Sequence, residues 1–379
     1  MIYNSFKDKK LSALGYGAMR FPITNGVLAD ISESAAEELV DYAIRNGINY
    51  FDTAWGYHDG NSEVFLGKAL SKYPRESWYL ANKFPGYDLS NMDKVEEIFE
   101  KQLEKCGVDY FDFYLFHNVC ELNINDYLDE SHGIYDYLIN QKKNGRIRHL
   151  GFSTHGSLEV IERFLSAYGK DMEFCQLQVN WLDWTFQNAK AKVELMREHN
   201  IPVWVMEPLR GGKLAKMDEK YTETLKTVRP EESGVAWAFR FLQSIPNVTV
   251  TLSGMSTMEQ LRDNLTTFES NKPLSDAEWD TLMGIAENMK KGIALPCTAC
   301  RYCTSHCPQE LDIPHLIDLY NEHVYTEGGF YAPMTLRAMP KEKHPHACIG
   351  CKSCEAVCPQ QIKIADAMTD FVKRLEGKI

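Results

Sequence analysis

The sequence lacks the features that would direct it to a membrane or to nucleic acid. It has no uninterrupted apolar run of the ~18 or more residues that a membrane-spanning helix needs. Its 53 Asp and Glu residues outnumber 41 Lys and Arg residues, and the net charge of −12 disfavours nucleic-acid or anionic-membrane partners. The first residues, Met1 to Asp8, lack the basic and apolar regions of a signal peptide, so we expect a cytoplasmic protein.

Cysteine is scarce through most of the chain. Before residue 296 it occurs only as Cys106, Cys120 and Cys175, which share no regular spacing and are interpreted as interior thiols. The other eight of the 11 cysteines fall after residue 296, in two sets of four. Because no export signal precedes them, a metal site is a better interpretation than disulfide bonds.

The early part of the chain also lacks the G-x-G-x-x-G motif of an open dinucleotide-binding sheet. Instead, apolar strand-like segments alternate with segments of helical periodicity, one of them a long predicted helix from Tyr127 to Asn144. This alternation indicates a parallel sheet, and about eight units in roughly 290 residues favour an α/β fold, a closed (β/α)8 TIM barrel. Leu11 to Pro22 is interpreted as a strand belonging to a hairpin at the barrel floor. We predict a barrel over residues 1–291 and a cysteine-rich domain over 292–379.

Four polar residues stand at the ends of successive strand-like segments. Asp52 and Tyr57 follow one segment, Lys83 ends the next, and His117 ends the third. Because the carboxyl ends of parallel strands meet at one face of a barrel, we expect these four side chains to share one site. Four unrelated structural roles are the alternative, which a lone His or Lys would favour but this pattern does not.

The expected chemistry follows from the pKa values of these groups. A free tyrosine titrates near ~10, and we expect the ammonium group of Lys83 to lower the pKa of Tyr57. Asp52 would keep that ammonium charged, and a neutral His117 would orient a carbonyl oxygen by a hydrogen bond. With hydride from a nicotinamide, the arrangement suits reduction of an aldehyde or ketone.

With these residues in view, the chain resembles the aldo-keto reductase family from about Leu11 to Leu265. The resemblance is carried by three short motifs: Asp52-Thr53-Ala54-x-x-Tyr57, Gly60-x-Ser62-Glu63 and Gly151-Phe152-Ser153. It implies that Tyr57 donates a proton, that Lys83 and Asp52 tune it, and that His117 orients the carbonyl group. It also implies that NAD(P)H lies across the carboxyl end of the barrel and that the substrate is a small carbonyl compound or alcohol.

The resemblance further implies the contacts of that cofactor. Ser153 and Gln176 would hold the carboxamide, and Met206 stands where an aromatic side chain usually stacks on the nicotinamide. The remaining implied contacts are Pro208, Leu209, Arg210 and Gly212 near the pyrophosphate, and Ser253, Gly254, Gln260 and Asn264 around the adenosine. Gly254 and Gln260 replace the usual basic residues, which weakens the case for NADP over NAD and leaves FMN as an alternative cofactor. Arg210 is equally well interpreted as a solvated loop charge.

The later cysteines repeat one spacing, C-x2-C-x2-C-x3-C-P, which is typical of ferredoxins with two clusters. In such proteins the fourth cysteine of each run binds the other cluster. We therefore predict a ferredoxin-like domain with two [4Fe–4S] clusters, one held by Cys297, Cys300, Cys303 and Cys358 and the other by Cys348, Cys351, Cys354 and Cys307. Zinc is the alternative metal, but the third cysteine and the Cys-Pro pair of each run fit it poorly.

Three functions remain open for the whole chain, because nicotinamides pass two electrons as hydride whereas clusters pass one at a time. In the favoured one, the barrel reduces a carbonyl compound with NAD(P)H and the clusters are structural or regulatory, with electron transfer as an additional role. In the second, the clusters feed electrons from a ferredoxin or another carrier to a flavin or substrate in the barrel. In the third, the chain is a redox-responsive binding subunit without turnover, which the intact set of four polar residues disfavours.

Overall fold

A computed structural model describes residues 1–290, 295, 297, 301, 303–358 and 360–379 of the chain. These residues form two compact units. The first unit comprises Met1–Val119 and Ile124–Gly284, and the second comprises Cys120–Asn123 and Ile285–Ile379. The predicted domain boundary between residues 291 and 292 lies outside the described residues.

The first unit contains ten strands, eight of which close a parallel barrel, as predicted. The strands are β1 Tyr3–Phe6, β2 Lys9–Ser12, β3 Leu14–Gly17, β4 Tyr50–Asp52, β5 Tyr79–Phe84, β6 Phe111–Val119, β7 Ile147–Thr154, β8 Cys175–Gln178, β9 Val203–Met206 and β10 Val248–Ser253. The order around the barrel is β10-β3-β4-β5-β6-β7-β8-β9, so each barrel strand pairs with its neighbours in sequence and β10 closes on β3.

Helices connect the barrel strands or, for the last two, follow β10. They are α1 Glu33–Arg45, α2 Asn61–Leu70, α3 Val95–Cys106, α4 Ile124–Leu128, α5 Ile134–Lys143, α6 Leu158–Tyr168, α7 Asp183–Phe186, α8 Ala189–Glu198, α9 Glu219–Val228, α10 Gly234–Gln243, α11 Met258–Thr267 and α12 Asp276–Lys290. None of the described helices of the chain is long and apolar enough to cross a membrane.

Two helical regions differ from the sequence expectation. The single helix predicted from Tyr127 to Asn144 is wrong: α4 and α5 are separated at Gly133, whose φ of +66° belongs to the left-handed region and interrupts an α-helix. Helix α9 was not predicted from the sequence. Its apolar residues Tyr221, Leu225 and Val228 recur at helical spacing, so the signal was present in the sequence although only Leu225 is buried.

The hairpin β1–β2 is antiparallel and supplies the floor of the barrel. The assignment of the Leu11 to Pro22 strand to this hairpin is wrong, because its central part is the barrel strand β3. Phe6 lies inside the barrel, where its ring is 5.7 Å from Phe113, 5.0 Å from His149 and 5.1 Å from Trp204 between centroids. Phe113, Trp204 and Phe174 belong to the same buried cluster. The amino-terminal end of the barrel is therefore closed by apolar packing, and a polar site belongs at the other end.

The second unit contains helices α13 Ile313–Tyr325, α14 Tyr331–Arg337, α15 Ser353–Ala356 and α16 Ile364–Leu375. Its two cysteine runs match at two pairs of described positions. Arg301 and Lys352 occupy equivalent positions and both have positive φ, as do Glu310 and Gln361. Each run leads into a helix, α13 or α16, whose buried residues pack in one apolar cluster with the cysteines. The repeated spacing in the sequence thus corresponds to a repeated local structure.

Candidate active site and cluster sites

The structure brings the four predicted polar residues together at the carboxyl end of the barrel. Asp52 is the last residue of β4, Lys83 lies near the end of β5, and His117 lies in β6. The strands β4, β5 and β6 are adjacent and parallel. Tyr57 begins the short 3-10 turn that follows β4.

Lys83 is the centre of this group. Its Nζ donates to Asp52 Oδ1 at 2.6 Å and to the Thr53 carbonyl oxygen at 2.7 Å. The same Nζ lies 5.1 Å from the centroid of the Tyr57 ring. Lys83 is fully buried and Asp52 is 2 % exposed, so this ion pair is shielded from solvent.

Burial moves both members of the pair toward neutrality. It lowers the pKa of Lys83, an effect that the charge and hydrogen bond of Asp52 oppose. It raises the pKa of Asp52, which Lys83 opposes in turn. Asp52 Oδ2 accepts no hydrogen bond from any described residue. The pair is thus held together by mutual attraction and by the bond from Lys83 to the Thr53 carbonyl oxygen.

The expected effect of Lys83 on Tyr57 is wrong in this structure. Burial raises the pKa of Tyr57 above its ordinary value, and the carboxylates of Asp52 and Glu207 add to the increase, while Arg20 opposes it. The reason is that the Lys83 ammonium is bonded to Asp52, so the pair presents little net charge to the phenol. Tyr57 therefore keeps its proton at Oη throughout the ordinary pH range.

His117 is neutral, as predicted. Burial lowers the pKa of His117 well below its ordinary range, and Lys83 and His155 lower it further. Its Nδ1 is buried and has no hydrogen-bond partner among the described residues. The imidazole faces the Tyr57 ring edge-on, with 6.4 Å between centroids.

Further hydrogen bonds, through Asn82 and Glu63, fix the backbone of Lys83. The backbone N–H of Lys83 donates to Asn82 Oδ1 at 2.9 Å, and Asn82 Nδ2 donates to Glu63 Oε1 at 2.8 Å. Glu63 is fully buried and forms an ion pair with Lys105. The negative charge of Glu63 also raises the pKa of Lys83. Glu63 from the predicted motif is therefore a support of the Lys83 strand.

The predicted carboxamide contacts are paired neighbours, Ser153 near the end of β7 and Gln176 within β8. Ser153 and Gln176 are 2 % and 3 % exposed. Ser153 Oγ accepts from the backbone N–H of Asn118 at 2.8 Å. The Gln176 side chain, in contrast, makes no hydrogen bond to any residue that the structure describes. An amide that is nearly buried and lacks a protein partner suits binding of another amide, so the residues present fit a nicotinamide.

The predicted adenosine contacts also come together. Asn264 Nδ2, in α11, donates to Ser253 Oγ at the end of β10 over 3.1 Å. Gln260 Oε1 accepts from the backbone N–H of Ser256 at 2.8 Å, so this side chain is held against its own loop. Gly254 is exposed, and the side chain of Arg20 lies against it.

The loop after β9 differs in part from the expectation. Met206 is half-buried at the end of the strand, and Gly211 and Gly212 both have positive φ. The Arg210 side chain is buried and its Nε donates to Asp183 Oδ1 at 2.9 Å, so the interpretation as a solvated charge is wrong. Its contact with phosphate stays a prediction, as do those of Pro208 and Leu209.

Three residues near the site were not predicted from the sequence: Arg20, Tyr87 and Glu207. Arg20 follows β3 and Glu207 follows β9, and both act on the pKa of Tyr57. Glu207 also accepts a hydrogen bond from the backbone N–H of Gly211. Tyr87 lies in the loop after β5, with its ring 5.0 Å from His117. Their position after strand ends is a signal that sequence reasoning could have used.

In the second unit, the cysteines line two hollows. One is lined by Cys297, Cys303 and Cys358, and the other by Cys307, Cys348, Cys351 and Cys354. Cys300, predicted for the first set, lies outside the described residues. The fourth cysteine of each run thus faces the other run, which is the crossed arrangement expected from the spacing.

The thiols of the second hollow are close enough to repel one another as thiolates. Burial raises the pKa of Cys354 to about 11, and the charges of Cys348, Cys307 and Cys351 contribute. Among the described residues, no group of three or more His, Cys, Asp or Glu side chains is placed to hold a single metal ion. Four thiols around a hollow fit a cubane cluster, in which each thiolate binds its own iron.

Comparison with known proteins agrees with both units. The aldo/keto reductase family matches residues 13–287, and a 4Fe-4S dicluster domain matches residues 296–364. The NADH-specific methylglyoxal reductase of Escherichia coli (strain K12) is 28 % identical over 330 residues, which cover 75 % of this chain and 97 % of that protein.

Solved structures show the same fold. The aldo-keto reductase AKR11C1 from Bacillus halodurans, in its holo form, has a TM-score of 0.61 and 24 % identity and covers 75 % of this chain and 96 % of its own. An aldo/keto reductase from Klebsiella pneumoniae in complex with NADP and acetate has a TM-score of 0.60 and 17 % identity. The match covers 74 % of this chain and 93 % of that one. The chain is therefore an oxidoreductase that belongs to the aldo/keto reductase family and carries a C-terminal 4Fe-4S dicluster domain.

Proposed function

We propose that the barrel reduces a small carbonyl compound with NADH, and that Tyr57, His117, Lys83 and Asp52 form its catalytic group. The observation that supports this most strongly is the buried ion pair between Lys83 and Asp52 beside the protonated Tyr57, with a neutral His117 next to the same ring. These groups come from three neighbouring strands and the turn after β4, so only the closed barrel gathers them.

A bound reduced nicotinamide supplies the hydride. The protein's own residues do the rest. His117 donates a hydrogen bond that orients the carbonyl oxygen, and Tyr57 Oη gives its proton to that oxygen as negative charge develops there. An alkoxide is a stronger base than a phenolate, so this transfer is downhill even from a phenol of raised pKa. Lys83 and Asp52 hold the tyrosine ring in place and keep a polarised ammonium beside it.

Two of the predicted adenosine contacts, Gly254 and Gln260, favour NADH over NADPH, whereas the Arg20 side chain beside Gly254 is a cation that would favour NADPH. Neither Gly254 nor Gln260 offers a positive charge, and the Gln260 side chain is already bonded to Ser256. A 2′-phosphate needs charged hydrogen-bond donors. The similarity to a reductase described as NADH-specific supports the same choice. Its methylglyoxal substrate also suggests a small aldehyde or ketone for this chain. Neither the family nor these relatives support FMN.

The test is cofactor binding together with turnover. Protein purified anaerobically is titrated with NADH and with NADPH, and reduction of methylglyoxal and simpler carbonyl compounds is followed at saturating cofactor. We expect tighter binding of NADH. If neither nucleotide binds more tightly than ~1 mM, the nicotinamide function is wrong.

We also propose that the second unit holds two [4Fe–4S] clusters through the crossed cysteine sets, with Cys300 as the fourth ligand of the first. The crowded thiols of Cys307, Cys348, Cys351 and Cys354 support this, since bound iron would relieve the repulsion between thiolates. Protein purified anaerobically should contain about eight irons per chain.

Two double variants test the crossing. In Cys307→Ser/Cys348→Ser both lost ligands belong to one cluster, so about four irons should remain in an intact cluster. In Cys303→Ser/Cys307→Ser each cluster loses one ligand, and both should be damaged. An uncrossed arrangement predicts the reverse result for the two variants, and Cys175→Ser in the barrel serves as control.

We propose an electron-carrier protein, such as a ferredoxin, as the partner of these clusters. Cys351 is exposed, and its neighbours Ile349 and Lys352 are exposed as well, so a one-electron donor can approach a cluster ligand closely. Anaerobic mixing with a reduced ferredoxin should bleach the cluster absorbance. If the cluster absorbance does not bleach within minutes, the proposal that a ferredoxin is the partner is wrong.

A further inference from the structure

The loop after β5 places a second tyrosine beside the catalytic group. We infer that Tyr87 is a specificity-determining residue that hydrogen-bonds a second oxygen of the substrate, on the carbon next to the reacting carbonyl. The substrate class is therefore that of vicinal dicarbonyl and α-hydroxycarbonyl compounds. The inference rests on the proposed carbonyl reduction and adds a residue and a substrate class to it.

Tyr87 faces the same space as Tyr57. The His117 imidazole lies edge-on to both phenol rings, with its centroid 5.0 Å from Tyr87 and 6.4 Å from Tyr57. All three side chains are only partly exposed. Burial raises the pKa of Tyr87 to about 12, and the nearby phenol of Tyr57 contributes to the increase. The two phenols and the imidazole thus lie together at the carboxyl end of the barrel.

Gly56 makes room for the Tyr87 hydroxyl. A Cβ atom at Gly56 would lie 2.6 Å from Tyr87 Oη, closer than real side chains approach. The backbone of Gly56 has φ −93° and ψ −1°, which any residue can adopt. The absence of a side chain at this position is therefore needed for the tyrosine and not for the turn. Because Gly56 has no side chain, the Tyr87 hydroxyl lies directly beside the backbone of the residue that precedes Tyr57.

The number of hydrogen-bond donors exceeds what one carbonyl oxygen can accept. That oxygen has two lone pairs, which Tyr57 and His117 use in the proposed reduction. Tyr87 Oη makes no hydrogen bond to any residue in the described part of the chain. Covering this hydroxyl with an apolar part of a substrate would leave a donor unpaired, which disfavours substrates that lack a second acceptor. An oxygen on the adjacent carbon supplies that acceptor.

The test compares two ketones that share one carbon skeleton, 2,3-butanedione and 2-butanone. The ratio of their kcat/KM values with NADH is measured for the wild type, for Tyr87→Phe and for Gly56→Ala. The intrinsic reactivities of the two ketones are the same in every protein and cancel when ratios are compared. Tyr87→Phe removes only the hydroxyl, and Gly56→Ala displaces it while keeping the phenol. Tyr73→Phe, which removes a hydroxyl bonded to Asp41 on α1, is the matched control.

Loss of a neutral hydrogen bond corresponds to a factor on the order of 10. We expect Tyr87→Phe and Gly56→Ala each to reduce the preference for the diketone over the monoketone by about this factor, mainly because KM for the diketone rises. Tyr73→Phe should leave the preference unchanged. A ratio that stays the same in Tyr87→Phe overturns the inference while the proposed reduction stands. A wild type that reduces neither ketone removes the proposed function, and this inference with it.

Discussion

The two ends of the barrel use buried charge in opposite ways. At the amino end, Glu173 just before β8 is contacted by Lys7, Lys142 and His149. Burial opposes ionisation of Glu173, but hydrogen bonds from these three side chains outweigh it and lower the pKa to about 2. At the carboxyl end, Asp52 has Lys83 as its partner, and burial raises the pKa of Asp52 above its ordinary value.

The difference separates a structural charge from a reactive one. Three basic partners stabilise the ionised form of Glu173, so the network contributes to folding. The group at the other end keeps unused hydrogen-bonding capacity at Asp52 Oδ2 and His117 Nδ1, among the described residues, and a protonated phenol at Tyr57. Unused capacity costs stability and is available to a ligand. One barrel therefore has a stable floor and, at its other end, the group that we propose to be reactive.

The largest effect is expected from Tyr57→Phe. Losing the proton donor should lower kcat for carbonyl reduction roughly 100- to 10,000-fold, with NADH binding nearly intact. The melting temperature should not fall, because no hydrogen bond of Tyr57 to a described residue is lost. The matched control is Tyr79→Phe, at the amino end of β5, which should retain activity. Equal turnover in the two variants would show that Tyr57 is not the donor.

The next effect is that of Lys83→Met on stability. Removing one member of a buried ion pair leaves Asp52 uncompensated, and we expect a loss of about 3–5 kcal/mol in the free energy of unfolding, with little activity left. The double variant Asp52→Asn/Lys83→Met should regain much of the stability and none of the activity. Urea unfolding of both variants checks this, with Lys68→Met of the exposed pair Lys68–Glu33 as the control. A stable, active Lys83→Met protein would contradict the comparison.

At the floor, Glu173→Gln should cost stability without affecting turnover. The pKa of Glu173 is lowered from an unfolded value of 4.5 to about 2, so its contribution is complete above pH 4.5 and lost as the pH falls toward 2. We expect a loss of roughly 2–3 kcal/mol at pH 7 that shrinks at pH 4 and is smaller again at pH 3. Urea unfolding at these three pH values measures it.

The control for Glu173→Gln is Glu100→Gln. Glu100 forms a surface pair with Arg146 and is half exposed, so its loss should change stability by less than ~1 kcal/mol. A penalty for Glu173→Gln that does not depend on pH would mean that packing, and not charge, explains its role.

The features that could be predicted from the sequence are those whose signal lies within a short stretch of the chain. Asp52, Lys83 and His117 stand where strand-like segments end, so alternation alone predicted both the barrel and the meeting of these side chains. The crossed cysteine sets followed from spacing within each run. In contrast, Lys7, Lys142, His149 and Glu173 are distant in sequence and follow no motif, so only the folded chain shows the floor network.

The sequence also could not show whether the pKa of Tyr57 is raised or lowered in the folded protein. Proximity to Lys83 predicts a lower pKa, but the result depends on how deeply the phenol is buried and on how strongly Asp52 neutralises the ammonium. Both are properties of packing. Tyr87 was missed for a related reason, because its loop residue approaches Tyr57 only through the gap left by Gly56.

The smallest predicted effect concerns Glu63, which resembles the structural carboxylate Glu173 but also acts on Lys83 in the proposed catalytic group. Like Glu173 it is a buried carboxylate with a lysine partner, Lys105, yet it also raises the pKa of Lys83 from behind. Glu63→Gln removes the charge and can keep the hydrogen bond from Asn82, but its amide N–H group then faces Lys105, so the bond from Lys105 is lost as well. The pKa of Lys83 should therefore fall further below its ordinary value. The alkaline limb of the pH–rate profile should then move to lower pH, with a loss of a few fold in kcat at neutral pH. Glu104→Gln, on the exposed face of α3, should leave the profile in place. If the limb does not move in Glu63→Gln while stability drops, then Glu63 belongs with the structural charges of the floor, and the upper end depends on Asp52 alone.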